Sequence, residues 1–251
     1  MEKDKMKIIS WNINGINARI GAIKELTGTE HPEIMCLQEI RTKNPHRYLD
    51  AIPGYSGITN VDKGCPGHAG VAIYIQNEIL GATDLNHVMA DKEGRILGID
   101  IDGIQIISAY LPPGPHEKYM LMGRLATCLD QRRCVLCGDL NSVASDMDYH
   151  RLFTGREDCL PVDKSMMARF MKLLRLKDTY RELYPESRAY TYWPYTDRCR
   201  ERNVGMRIDY ILVTADIPVL EAGILGGIRG SDHCPVSMSI RARSVDGEKY
   251  G

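Results

Sequence analysis

The sequence has no apolar run of the roughly 18 residues that a membrane-spanning helix needs. It opens on no secretory leader: Met1 to Lys7 is charged, and strand-like Ile8 and Ile9 follow at once. Low-complexity segments, Pro/Gly-rich linkers and solenoid-type repeats are all missing, so a single domain over 1–251 is the default expectation. The 8 cysteines follow no framework spacing. Cys134 and Cys137 form the one close pair, but they sit in a strand-like run, where positions three apart face opposite ways. That excludes a shared zinc and a disulfide scaffold, and predicts mostly buried free thiols in a reducing setting. No P-loop, Gly-rich dinucleotide motif or Ser/His/Asp order is present. Charge of one sign is lacking too: the net charge is −1. Its distribution is uneven, however. From Lys164 to Arg207 there are eleven Lys or Arg against five Asp or Glu, densest at Arg198, Arg200, Arg202 and Arg207. Local positive charge of this kind suits a phosphate backbone.

What is present is an alternation of short apolar runs and helical patterns. Strands are predicted over Met6–Trp11, Ile34–Gln38, Gly70–Ile75, Arg95–Ile101, Ile104–Tyr110, Cys134–Gly138, Asp209–Val213 and Pro235–Ile240. Asp102-Gly103 reads as a tight hairpin turn. Helices are predicted over Asn17–Leu26, Tyr119–Leu129 and Ser165–Leu174, the last continuing to Tyr184 after a break. Such a mixture gives a layered α/β domain.

The chemistry lies at the ends of the apolar runs. Asn12 and Asn14 follow one, Glu39 another, then Tyr110, then Asp139 and Asn141; Asp209 follows Arg207-Ile208, and Asp232-His233 follow Gly230-Ser231. Each ending alone reads as turn chemistry. Together they form a set. Glu39 is a hard oxygen ligand suited to Mg²⁺. Asp139 is placed to deprotonate water and Asn141 to orient it. A His beside an Asp is suited to gripping a phosphate in its transition state. Tyr110, Asn12 and Arg207 complete a phosphate-ordering group. The set describes metal-assisted phosphoester hydrolysis. Trp11-Asn12-Ile13-Asn14 and Gly138-Asp139-Leu140-Asn141 also echo one another.

The order of Trp11-Asn12-Ile13-Asn14-Gly15, Leu37-Gln38-Glu39, Gly70-Val71-Ala72, Gly138-Asp139-Leu140-Asn141, Asn203-Val204-Gly205-Met206-Arg207-Ile208-Asp209-Tyr210 and Ser231-Asp232-His233 resembles exonuclease III-like AP endonucleases. Gly-Asp-Leu-Asn and Ser-Asp-His belong to the wider endonuclease/exonuclease/phosphatase superfamily. Tyr190-Thr191-Tyr192-Trp193 followed by Arg202-Asn203-Val204-Gly205 is specific to the AP-endonuclease branch. The resemblance implies a four-layer α/β sandwich, two mixed β-sheets face to face with helices outside. It implies Glu39 as principal metal ligand with Asn14 and Asp232 nearby, and Mg²⁺ as the ion, with Mn²⁺ as a substitute. Asp139 then activates water with Asn141, Asp209 orients His233, and Tyr110 and Asn12 order the phosphate. The implied reaction is hydrolysis 5′ to an abasic site in double-stranded DNA, accompanied by 3′-phosphodiesterase or 3′→5′ exonuclease activity. Tyr192, Met206 and Ile208 would line the sugar pocket, with Met206 where many relatives carry Trp. Trp193, Arg198, Arg200, Arg202, Asn203 and Arg207 complete the expected substrate contacts.

Two stretches look abbreviated, the one after Pro113 and the one from Ser142 to Asp163. A long basic N-terminal extension is lacking, so the chain reads as the compact bacterial or archaeal form: a monomer, cytoplasmic, working at the nucleoid. A phosphatase on a small molecule or lipid, and a non-catalytic DNA-binding module, are the alternatives. The first lacks a use for the basic stretch, and the second requires a lost catalytic group that is not lost here.

Overall fold

The computed structural model describes residues 5–80, 85–129, 131–156 and 159–241; the outermost stretches of the expected single domain lie outside these. Among them twelve strands form two six-stranded sheets. The first sheet holds β1 (Lys5–Asn12), β2 (Ile34–Gln38), β3 (Tyr55–Asn60), β4 (Val71–Gln76), β11 (Val219–Ile224) and β12 (Val236–Arg241). Its order is β11-β12-β1-β2-β4-β3. The second holds β5 (Leu85–Ala90), β6 (Ile96–Ile101), β7 (Ile104–Tyr110), β8 (Cys134–Asp139), β9 (Leu176–Asp178) and β10 (Asp209–Thr214). It runs β5-β6-β7-β8-β10-β9. Each sheet is mixed, with one parallel pair at its centre, β1 with β2 and β7 with β8. The helices are α1 (Ile16–Glu30), α2 (Asn77–Leu80), α3 (Pro115–Leu129), α4 (Pro161–Leu173) and α5 (Thr179–Leu183).

Central strands are covered on both faces, so their residues are apolar nearly throughout; β2, β8 and β10 are buried at every position. Alternate side chains then serve opposite layers. Ile8, Ile34 and Ile73 meet Ile106, Val135 and Val213 between the sheets. Ile9, Met35 and Leu37 point outward beneath Ile16, Ile23 and Leu26 of α1. Ile107, Leu136 and Leu212 do the same beneath Leu125 of α3 and Met167 of α4. The result is the expected four-layer sandwich. Cys134 joins the outer cluster and Cys137 the inner one, as opposite faces require. The described cysteines are free thiols, with Cys65 and Cys128 the exposed pair.

All eight expected strands are found. The four that went unread, β3, β5, β9 and β11, are the four sheet edges. Asp102 and Gly103, at φ 52° and 79°, make the turn between β6 and β7. α3 begins four residues earlier than its apolar pattern, because Pro115 supplies a first-turn residue with no N–H to satisfy. The break after α4 contains β9.

Register decides where the site lies. Asn12 pairs with Gln38, Tyr110 with Asp139, and Asp139 with Asp209. Two residues earlier in each parallel pair, Ser10 meets Cys36 and Ser108 meets Cys137. The inward faces of β1, β2, β7, β8 and β10 thus turn from apolar to polar at one common end of the sandwich.

Candidate active site

At that end the two sheets are joined by hydrogen bonds. Gln38 Nε2 donates to Ser10 Oγ at 3.1 Å and to Ser108 Oγ, on the opposite sheet, at 3.0 Å. Above this layer, Asn12 Nδ2 donates to Glu39 Oε1 and to Asp139 Oδ2, each at 2.9 Å. One buried amide therefore fixes a carboxylate from each sheet. The two loops leaving β1 and β8 use the same device. Asn14 N donates to Asn12 Oδ1 at 3.1 Å, and Asn141 N to Asp139 Oδ1 at 2.9 Å. Asn14 and Asn141 adopt left-handed φ of 47° and 46°. The sequence echo is thus one turn built twice, in which a side-chain oxygen at the strand end hooks the N–H two residues on. Asn141 Nδ2 donates to Leu111 O at 2.8 Å and reaches Asp139 Oδ2 at 3.4 Å. Glu39 is also left-handed, at φ 54°, a costly state for a residue without a side-chain hook.

The β11–β12 connection delivers the remaining groups. Ser231 Oγ donates to Asn12 O at 2.8 Å and accepts from His233 N at 3.2 Å. Asn14 Nδ2 donates to Asp232 Oδ1 at 3.1 Å. His233 Nδ1 lies 2.8 Å from Asp209 Oδ2, and its Nε2 lies 3.8 Å from Asp139 Oδ2. The Tyr192 ring sits beside the imidazole, with centroids 4.8 Å apart.

Burial pushes the Asp139 carboxyl up to about 7; the His233 charge opposes this, while Asp209 and Glu39 add to it. For His233 burial works against charge, but Asp209 and Asp139 overcome it and raise the imidazole to about 10. At neutral pH Asp139 is poised to take a proton, and His233 holds one. Burial, with Glu39 and Asp139 adding, lifts the Tyr110 phenol far above its ordinary value, so it stays a neutral donor.

Residues 9–233 match the Endonuclease/Exonuclease/phosphatase family. The chain belongs to this family. An exodeoxyribonuclease of Bacillus subtilis is 31% identical over 94% of this chain and 99% of its own length. The DNA repair nuclease APEX1 of Danio rerio is 32% identical over 94% of this chain and 82% of its own. In fold, the chain superposes on the crystal structure of the AP endonuclease LMAP from Leishmania major with a TM-score of 0.88, covering 97% and 90% of the two chains at 21% identity.

Within this family site, Glu39, Asn14 and Asp232 offer oxygen donors alone, which fits a hard divalent cation. Glu39 Oε2 is buried and ion-paired with the Arg41 guanidinium, so this carboxylate already faces positive charge at the mouth of the site. Asp139, Asp209 and His233 also place ligand atoms within 4.8 Å of one another. His233 and Asp209 already share a short hydrogen bond, whereas the Glu39, Asn14 and Asp232 set has the donor chemistry that fits a hard cation.

Several expected substrate contacts are corrected. Arg207 is internal: Nε bonds Asp148 Oδ1 at 2.8 Å, Nη2 lies 2.7 Å from Asp178 Oδ2, and the side chain is 2% exposed. No face of it is left for a phosphate. Arg200 is committed as well, donating to the carbonyls of Ser231 at 2.9 Å, Ile228 at 2.6 Å and Gly226 at 3.3 Å. Its guanidinium also covers the buried Trp193 ring at 4.7 Å, and Trp193 Nε1 donates to Asn203 Oδ1 at 3.2 Å. Arg200 and Trp193, which donates its backbone N–H to Asp232 O, therefore brace the loop that carries Ser231-Asp232-His233, while Asn203 itself stays exposed. Met206 and Ile208 are buried with Val143, Tyr149 and Cys159 behind the half-exposed Tyr192. Arg198, 82% exposed at its side chain, and Arg202 remain at the surface.

Three supporting residues, Asp148, Lys118 and Asp163, carried no local signal, and Ser231 was visible only as part of its motif. Asp148, in the abbreviated stretch, receives both Arg207 and Arg181. Ser231 ties His233 to β1. Lys118 and Asp163 are a buried ion pair behind Asn141. Gln38 follows an apolar run as the catalytic residues do, and strand parity alone would have turned it inward.

Proposed function

We propose that this chain hydrolyses the phosphodiester 5′ to abasic sites in double-stranded DNA, leaving a 3′-hydroxyl, with Mg²⁺ as its ion. It is a DNA-repair nuclease of the AP endonuclease and exodeoxyribonuclease kind. The observation that carries the reading is the convergence of Glu39, Asn12, Asp139, Asp209 and His233 on one end of the sandwich. One family match spans residues 9–233, which supports one domain. Among the described residues no helix is long and apolar enough to cross a membrane.

Glu39, Asn14 and Asp232 would hold the cation. When bound, it supplies Lewis-acid polarisation of a phosphate oxygen. Asp139, with its carboxyl near neutrality, takes the proton of the attacking water, and the Asn141 amide beside it orients that water. His233 turns its Nε2–H toward the site, while Asp209 holds Nδ1 and so fixes the ring. The imidazolium then stabilises charge growing on the phosphate. The neutral Tyr110 phenol adds a further donor. Tyr192 flanks His233 and forms one wall of the site, where a displaced abasic sugar would stack. The exodeoxyribonuclease relative supports a 3′-end activity at the same centre.

The test uses a duplex with one tetrahydrofuran abasic analogue, incubated with Mg²⁺, with Mn²⁺ and with EDTA. Nicking 5′ to the analogue that EDTA abolishes and either ion restores is the expected result. No nicking in any condition would overturn the proposal.

A further inference from the structure

Behind the catalytic loop, two helices present a buried charge in their first turns. Lys118 closes the first turn of α3, its N–H bonding Gly114 O at 3.0 Å. Asp163 lies in the first turn of α4. Each residue is 1% exposed. Lys118 Nζ donates to the Asn141 carbonyl at 2.7 Å and to Asp163 Oδ1 at 2.8 Å. That one carboxylate oxygen also accepts from Tyr119 OH at 3.1 Å and Ser142 Oγ at 3.3 Å.

Stability alone gives a poor account of this pair. The positive end of a helix favours Asp163 but disfavours Lys118. Burying two charges is costly, and a well-packed apolar pair of the same volume commonly serves a fold as well or better. Asp163 Oδ2 is buried without a partner, so the carboxylate is not even fully satisfied. The arrangement does accomplish one specific thing. It places an ammonium on the carbonyl of a left-handed residue whose side chain reaches Asp139. Gripping that carbonyl fixes the peptide after Asn141 and so the backbone from which its amide, bonded also to Leu111 O at 2.8 Å, reaches Asp139.

We propose that Lys118 is a positioning residue for Asn141, with Asp163 as its counter-charge. The pair holds the turn after β8 so that Asn141 stays on Asp139 while water is activated. This rests on the nuclease reading above, and on Asn141 acting in it.

The experiment is a double-mutant cycle in single-turnover nicking of the tetrahydrofuran duplex with Mg²⁺. Lys118→Met/Asp163→Leu removes both charges together, so neither is left buried alone. It is compared with wild type, with Asn141→Ala and with all three changes combined. A small misplacement of a reacting group can cost about a hundredfold. The expected result is a fall of about ten- to a hundredfold in the single-turnover rate constant, with half-saturating enzyme concentration unchanged. In the Asn141→Ala background the same double change should cost less than about twofold, because there is no amide left to aim. Lys118→Gln/Asp163→Asn, which also removes both charges but keeps a hydrogen-bonding group at each position, is the second variant and should repeat the pattern with a smaller loss. An equal loss in both backgrounds, or no loss in folded protein, would overturn the proposal. Absence of nicking by the wild type would instead strike at the nuclease reading.

Discussion

Replacing Arg207 with Leu separates a structural cation from a DNA-contacting one. Its guanidinium pairs with Asp148, which is completely buried, and with Asp178, which is nearly so. Burial opposes the charge on Arg207, but Tyr210, Asp178 and Asp148 more than restore it, so the ion stays charged. Removing one partner of a buried pair costs about 3–5 kcal/mol. Arg181 still neutralises Asp148 in the variant, which puts the loss near the lower end, about 3 kcal/mol. Each kcal/mol moves Tm by roughly 2–4 °C for a chain of this size, so a fall of about 6–12 °C is expected. Differential scanning calorimetry measures it directly. Nicking kinetics below the transition should keep the wild-type KM, and the dependence of DNA affinity on salt should keep its slope. A cation on a phosphate behaves oppositely: its loss lowers that slope by about one and spares the fold. An Arg207→Leu protein that melts with the wild type but binds DNA more weakly would refute the assignment.

Asp139→Asn should lower the nicking rate by about 10²–10⁴ while DNA still binds, because the group that accepts the water's proton is gone; gel shifts beside single-turnover rates check it. The Asp139 carboxyl is raised on folding, so its contribution to stability is full below its unfolded value, near 3.8, and is lost as pH rises through about 7. Asp139→Asn should therefore melt above the wild type at pH 8, and a lower melt would contradict the direction of that shift. In kcat/KM against pH, activity should rise through about 7 as Asp139 loses its proton and fall near 10 as His233 does; a flat profile would remove both from the reaction. Arg198→Ala/Arg202→Ala should weaken DNA binding and lower its salt slope by up to about two, one for each cation that meets a phosphate, with the metal requirement unchanged. Unchanged affinity and slope would take the DNA away from that surface.

Legibility in the sequence follows burial. β2, enclosed on both faces, is buried at every position and announces itself as an apolar run. β11 buries Ala222 alone, between the exposed Glu221 and half-exposed Gly223, and leaves Leu220 exposed. β9 is three residues long. Edge strands are kept short or polar because an exposed apolar edge invites pairing with another chain, and that same protection hides them from a periodicity reading. The site divides in a similar way. Asn12, Glu39, Asp139 and Asp209 stand out because each interrupts or ends an apolar strand. Arg200 and Arg207 were misread because a sequence shows a charge but not the carbonyls or carboxylates waiting for it inside. Of the cations in the basic stretch, Lys164, Arg181, Arg200 and Arg207 all have partners within the fold, so the local excess overstates what DNA meets. Lys118 and Asp163 escaped for the converse reason. Charged residues in helical first turns look like surface, and only the tertiary packing of α3 and α4 encloses them.

The register shared by β1, β2, β7, β8 and β10 makes the centre a matter of odd and even. Inserting one residue between Val135 and Asp139 would swing the carboxylate out among the helices, and the loss would be total however well the sheet paired. Loops on this scaffold are free to lengthen, shorten or change their grip on a substrate. Within those five strands an isolated insertion or deletion has no tolerated form, so variation among relatives should accumulate in the connections and leave the strand lengths fixed.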